Sequence, residues 1–315
     1  MRLISYFSDN TSTAPKLGVR VGDRVLDLTA AARVAGAAAV PASMKALLAA
    51  GTPAMNHVRA LSAAAQQDGQ RFAAAWLDEA AITYLPPITD ADKFLCVGKN
   101  YRAHLAELQR TNLIREIPQE PTSFIKLNTC LTGHRAQVVK PDGVVRLDYE
   151  PELVFVVGTR ALGVKKADAM HYVAGVTILN DLTCRDLQQR EVASGSRFWT
   201  AKNIPGFGPL GPEIITLDEI PDPYGLWMVC RVNGEERMRV NTADQIWKFG
   251  DILEHFSRFI PIEPGDMFST GAPGGVAVGK PNAADLFLKP GDVVECGIEG
   301  FATLSTTIVA PGGSA

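Results

Sequence analysis

The sequence predicts an α+β fold that is mainly β, a roll or distorted barrel preceded by a small mixed α/β domain. Three observations lead there. From about residue 94 onward, short strand-like runs follow one another with Gly and Pro turn signals between them. Helical patterns are few in that stretch. Residues 31–80, by contrast, are alanine-rich and helix-like.

The elements follow in chain order. "RLISYF" and "KLGVRVGDRVLDLT" alternate as short strands, and "VGDRV" is a hairpin signal with Gly22-Asp23 at the turn. The alanine-rich helices break near Pro41 and Gly51-Thr52-Pro53. "YLPPITDADK" (84–93) is a Pro-containing connector, so the predicted division is a domain over 1–85 and a core over 86–315. In the core, "KFLCVG", "TSFIKL", "AQVVKP", "ELVFVVG", "HYVAGVTILND", "LWMVCRVNG", "DMFSTG", "DVVECGIEG" and "ATLSTTIV" read as strands. Helices are predicted over about 101–116, 183–193 and 242–259.

Composition narrows the partners. The 315 residues are 46% hydrophobic and 21% charged, ordinary for a globular protein. A net charge of −3 gives no basic field for nucleic acid or an anionic membrane. The five cysteines lie far apart without a CxxC, which argues against structural zinc and a disulfide framework and fits a reducing cytoplasm. The apolar run in "MRLISYFSDN" is too short for a secretory signal, and no apolar stretch nears the ~18 residues of a membrane span. The expectation is a soluble cytoplasmic protein with no nucleic-acid or membrane partner.

Two familiar motifs fail on context. "GFGPLG" (206–211) matches a dinucleotide fingerprint by letters, but Pro209 and Pro212 forbid the helix that must follow. "GGVAVGKP" (274–281) resembles a phosphate loop, yet Pro281 stands where a magnesium-binding hydroxyl belongs, and it reads as a plain turn.

The carboxylates carry more. In "LDYEPELVFVVG" (147–158), Glu150 and Glu152 stand two apart, so on a strand they share one face. Like charges there repel, and burial of either without a partner costs several kcal/mol, on the order of a lost buried pair. A second strand, "VTILND", ends on Asp181. Two glutamates and an aspartate can supply oxygen ligands to a hard divalent cation, which would compensate the charge. A solvated strand face is the plainer alternative. A glycosidase pair fits poorly, because its acid and base must flank a sugar from opposite sides.

In "GKNYRAHLAE" (98–107), His104 and Glu107 are i and i+3 on a helix and can hydrogen-bond. A carboxylate beside an imidazole fixes its tautomer and raises its basicity, making a general base, unless the two are an ordinary surface pair. In "DLTCRDLQ" (181–188), Thr183 to Asp186 reads as a capping box, with Arg185 and Gln188 on one face, either to grip substrate oxygens or as ordinary polar residues on the surface. Lys202, in the otherwise uncharged "FWTAKNIPGFGPLGP", is either an anion-stabilising group or a lysine that snorkels to water.

Taken together, "FLCVGKNYRAHLAE", "LDYEPELVFVVG", "ILNDLTCRDLQ", "AKNIPGFGPLGP", "VNGEERMRVNT", "SRFIPIEPGDMFSTGAPGGV" and "LKPGDVVECGIEGFATLSTTI" lie in the order that resembles the fumarylacetoacetate hydrolase family, over roughly residues 90–310. The resemblance implies a β-roll of mixed sheets, usually in a homodimer. It implies Glu150, Glu152 and Asp181 as ligands of Mg²⁺ or Mn²⁺, His104 and Glu107 as a water-activating dyad, and Lys202 as a charge stabiliser. It places Arg185, Gln188, Tyr101 and Thr270 at substrate-contacting positions. The chain departs from many members in having Ala272 within "TGAP", Pro205 three residues after Lys202, and "FIKLN" at 124–128. The segment 107–121 is expected to act as a lid, and Phe198 and Trp199 to line the distal part of the substrate pocket.

The implied activity is metal-dependent hydrolysis of a C–C bond in an acylpyruvate or 2,4-diketo acid, through a metal-stabilised pyruvate enolate. Decarboxylation, isomerisation or hydration of a 2-oxo acid suits the same scaffold. A non-catalytic binding protein on that scaffold is the alternative of another class.

Overall fold

The computed structural model describes residues 1–9, 11–110, 118–196 and 199–312. Its spine is a twelve-stranded mixed sheet. Across it run the strands Trp76–Asp78, Arg24–Asp27, Lys16–Val21, Arg2–Phe7, Gly208–Thr216, Val173–Asn180, Pro151–Val157, Met267–Ser269, Phe94–Val97 and Ser123–Ile125, with two short strands attached off this path. Most pairs are antiparallel, but Met267–Ser269 runs parallel to Phe94–Val97. A second sheet of five strands is ordered Glu235–Asn241, Trp227–Val232, Val293–Ile298, Ala302–Val309 and Gln137–Val139.

Pro151–Val157 is central and buried along its whole length. That explains its nearly continuous apolar run, since a strand covered on both faces has no solvent side to leave polar. Leu153, Phe155 and Val157 face the cluster shared with the five-stranded sheet. Val154 and Val156 face the other cluster, where Leu28, Met44, Leu47 and Val58 of the first helices pack. Glu152 continues the even-numbered series, and Glu150 stands one residue before the strand.

The N-terminal segment joins this architecture through its first strand. Arg2–Phe7 pairs with Gly208–Thr216, with Arg2 opposite Ile215 and Leu3 opposite Ile214. The predicted hairpin is present, with Val21 paired to Arg24 across Gly22-Asp23 and Gly22 at φ 63°, a conformation glycine adopts without steric cost. Helices Leu28–Ala35, Met44–Ala49 and Gly51–Gln67 fill the alanine-rich stretch. No helix among the described residues is long and apolar enough to cross a membrane.

Two local expectations are corrected. The helix expected over 242–259 is a short 3-10 turn, Thr242–Asp244, followed by an α-helix at Phe249–Ser257. Between them Ile246 and Trp247 donate their amides to Asn100, which takes them out of helical bonding. The capping box at Thr183 does not form. Thr183 lies in a two-residue strand paired with Leu147–Asp148, and the helix Arg185–Ala193 starts after Cys184 with no side-chain cap. One buried strand, Gly208–Thr216, is not among those read from the sequence; its segment "GPLGPEIIT" carries two prolines.

Candidate metal centre and proton-transfer dyad

Glu150 and Asp181 meet because their strands end together. Pro151 is opposite Asn180 in the register, and one step further the Asp181 amide donates to the Glu150 carbonyl at 2.8 Å. The Glu150 amide in turn donates to the Asn180 side-chain oxygen at 2.9 Å. Glu152 lies two residues further along the chain. Each of the three carboxylates offers an oxygen within 4.8 Å of the others, and all three are buried.

Cations surround them. Lys202 donates to Asp181 Oδ2 at 2.5 Å, to Thr183 Oγ1 at 2.8 Å and to Glu150 Oε2. Lys126, wholly buried, donates to Asp181 Oδ1 at 2.7 Å and to the carbonyls of Phe207, at 2.8 Å, and Lys202. Arg185 donates from Nη2 to Glu150 Oε1, from Nε to Asp148 Oδ2 at 2.8 Å and from Nη1 to Gln188 Oε1 at 3.0 Å.

Charge counting then singles out one residue. Among the described residues, Asp148, Glu150, Glu152 and Asp181 face three lysine or arginine cations, Lys126, Arg185 and Lys202, and all seven are buried. Burial alone would raise the Glu150 carboxyl, but Arg185, Lys202 and His104 outweigh it and hold it well below the usual carboxylate range. Glu152 goes the other way: burial, reinforced by Asp181, pushes its carboxyl well above that range. Its Oε2 is buried without a hydrogen-bond partner among the described residues. An all-oxygen donor set with one orphaned carboxylate oxygen fits a hard divalent cation of the Mg²⁺ or Mn²⁺ kind.

His104 and Glu107 share one face of the helix Arg102–Arg110, with His104 Nδ1 at 3.3 Å from Glu107 Oε2. His104 is buried and Glu107 is partly buried, so the pair is sheltered and not an ordinary surface pair. Glu107 Oε1 accepts the Gly275 amide at 2.8 Å. The stretch read as a plain turn thus serves the dyad. Gly275 has φ 102°, and an added Cβ would lie 2.8 Å from the Met238 Cβ, so only glycine fits.

The remaining expected positions are also brought close. Tyr101 and Thr270 are fully buried, their hydroxyls 3.2 Å apart, and the Thr270 amide donates to Leu153, next to Glu152. Gln245 Nε2 donates to the Tyr101 hydroxyl at 3.1 Å, a neighbour sequence reasoning missed. Gln188 is half-buried and bound to Arg185. Residues 111–117 of the expected lid, and Phe198, lie outside the described residues; Trp199 is 40% exposed.

Two further residues escaped notice. Lys126 sits within "TSFIKL", where the lysine in an apolar run was a signal in itself. Asp148 extends the spacing of two backward from Glu152 through Glu150.

Similarity to known proteins points to one family. The family profile described as fumarylacetoacetate (FAA) hydrolase, C-terminal, matches residues 93–309. The mitochondrial oxaloacetate tautomerase fahd2 of Xenopus laevis is 33% identical over 311 residues, 98% of this chain and 90% of the relative. Human mitochondrial oxaloacetate tautomerase FAHD2A is 36% identical over 233 residues, 74% of this chain and 71% of the relative. Among solved structures, fumarylacetoacetate hydrolase from Exiguobacterium antarcticum superposes with TM-score 0.75 at 26% identity, covering 98% of this chain and 99% of its own. A 5-carboxymethyl-2-hydroxymuconate delta-isomerase from Mycobacterium smegmatis gives TM-score 0.69 at 26% identity, covering 98% and 100%. A profile match over most of the chain, on a fold shared end to end with these structures, means that the chain belongs to the fumarylacetoacetate hydrolase family.

Proposed function

We propose that the chain is a divalent-cation-dependent enzyme that moves a proton between the enol and keto forms of a 2-oxo diacid of the oxaloacetate type. The observation that carries this reading is the His104–Glu107 pair, an imidazole buried from solvent and held by a carboxylate that is itself fixed by the Gly275 amide. The two tautomerases, 33% and 36% identical to this chain, support the choice of reaction.

Glu150, Glu152 and Asp181 would hold the cation, which when bound supplies Lewis acidity for a 2-oxo group. His104, oriented by Glu107, takes the proton from the carbon beside that group and delivers it to the oxo oxygen, giving the enol; the reverse transfer regenerates the ketone. Glu107 is itself fixed by the Gly275 amide, so the imidazole keeps one orientation through the cycle. Lys202 places positive charge where oxyanion character develops. Arg185 and Gln188 present donors for the substrate carboxylates.

Hydrolysis of an acylpyruvate is the second reading, with His104 drawing its proton from water. The end-to-end fold shared with the Exiguobacterium hydrolase favours it. Decarboxylation makes least use of the dyad.

The test is to follow loss of enol absorbance from oxaloacetate with the purified chain, in Mn²⁺ and after chelation, and to analyse products from an acylpyruvate panel in parallel. Metal-dependent enol loss without carbon release is the expected result. Faster release of two acids from an acylpyruvate would replace tautomerisation by hydrolysis, and CO₂ release would replace it by decarboxylation. No turnover of any substrate would leave a binding protein.

A further inference from the structure

Asp148 touches neither the dyad nor the acidic triad, yet it is fully buried and saturated with donors. Its Oδ1 accepts the Ala277 amide at 2.9 Å and its Oδ2 the Val278 amide at 3.0 Å. Oδ2 also faces Arg185 Nε at 2.8 Å and Nη2 at 2.7 Å. The two amides come from residues 274–278, the same short loop whose Gly275 amide holds Glu107. One backbone segment therefore grips the dyad through Glu107 and the triad through Asp148, Arg185 and Glu150.

We propose that Asp148 is a positioning residue that keeps Arg185 from closing bidentately on Glu150, and so leaves Glu150 able to serve a divalent cation. A guanidinium facing one buried carboxylate pairs with both its oxygens wherever geometry allows. Here Nε is turned to Asp148, and Glu150 receives Nη2 alone through Oε1. Its Oε2 stays on the side of Lys202 and Asp181. Two main-chain amides hold Asp148 itself, and unlike side chains they cannot rotate away.

This inference rests on the triad binding a divalent cation, and not on which reaction follows. The test is Mn²⁺ titration of the intact chain by calorimetry and by the paramagnetic resonance of free Mn²⁺. Asp148→Asn should weaken Mn²⁺ binding 10–100-fold, the usual effect of removing a partner that orients a ligand. Saturating Mn²⁺ should restore most of its kcat, whereas Glu107→Gln should bind Mn²⁺ normally and stay slow. Ala277→Pro serves if Asp148→Asn does not fold. It removes one amide donor at the first position of a 3-10 turn, after Val276 in extended backbone (ψ 155°) that tolerates a following proline. It should weaken Mn²⁺ binding to a smaller degree with every charge in place. Unchanged Mn²⁺ affinity in a folded variant overturns the role of Asp148 alone. No Mn²⁺ binding by the unaltered chain overturns the metal reading and this inference with it.

Discussion

The Asp181 amide donates to the Glu150 carbonyl at 2.8 Å, so main chain joins two of the three candidate ligands. Their separation is fixed by strand pairing before any side-chain rotamer is chosen. Asp181 is then held through Oδ1 by Lys126 and through Oδ2 by Lys202. Pre-organisation of this kind concentrates the electrostatic cost of the site on Glu152, which makes no ion pair among the described residues.

Glu152→Gln should therefore act in opposite directions on stability and on binding. The amide keeps the shape and removes an uncompensated buried carboxyl, a group whose burial costs about 1–3 kcal/mol. Without metal, the variant should melt a few degrees above the unaltered chain, since about 1 kcal/mol shifts Tm by ~2–4 °C in a domain of about this size. With Mn²⁺ the unaltered chain should gain stability and the variant should not. Calorimetric scans with and without Mn²⁺ read both. A metal-free variant that melts lower would mean that Glu152 is already satisfied.

Lys126→Met should be among the most damaging single changes in the core. It leaves Asp181 Oδ1 and the Phe207 and Lys202 carbonyls without their buried donor. Breaking one side of a buried ion pair typically costs about 3–5 kcal/mol. Urea denaturation of the metal-free chain should show that loss, and Mn²⁺ should offset part of it by supplying charge on the other side of Asp181. A loss under 1 kcal/mol, a threshold set well below that typical cost, would show that the ammonium is not compensating Asp181.

His104→Gln and Glu107→Gln should retain Mn²⁺ binding and lose turnover. A positioned general base usually contributes about 10²–10⁴-fold, and His104→Gln should fall in that range. Glu107→Gln should lose less, because the amide can still accept the Gly275 bond while no longer stabilising an imidazolium. Equal kcat for His104→Gln and the unaltered chain would take the proton-transfer role away from this pair.

How much of this the sequence disclosed follows from the range of each interaction. The shared face expected of Glu150 and Glu152 rests on period two and needs no tertiary information. The i, i+3 spacing of His104 and Glu107 is equally local. Lys126 and Asp148 are different, since each earns its role from partners 55 and 37 residues away, Asp181 and Arg185. The loop at 274–278 was dismissed on its letters because its amides serve carboxylates of this chain and not a phosphate. Thr183 misled for a related reason. Its hydroxyl bonds the Asp181 carbonyl and accepts from Lys202, and both outcompete a helix cap. The buried strand Gly208–Thr216 was hidden by prolines, whose usual exclusion from central strands was overridden where the sheet ladder is irregular on that side.

A pH dependence should arise away from the site, at His134. Its Nδ1 accepts the Ser305 amide at 3.0 Å, and its ring meets Tyr84 edge-on at 5.0 Å. Burial first, then Arg135 and Arg20, lower its pKa from the ordinary 6.5 to about 4. A proton on Nδ1 would also face the Ser305 amide, donor against donor. The fold thus favours neutral His134, while the unfolded chain takes up a proton as pH drops through 6.5. The contribution is full above that value and is lost progressively down to about 4, amounting to on the order of 1–2 kcal/mol at pH 5. Other carboxylates titrate in the same window, so the informative quantity is a difference. His134→Asn keeps an acceptor for Ser305 and cannot titrate. Between pH 7 and pH 5 the urea midpoint of the unaltered chain should fall further than that of the variant, and parallel profiles would mean that His134 is already solvated enough to protonate in place.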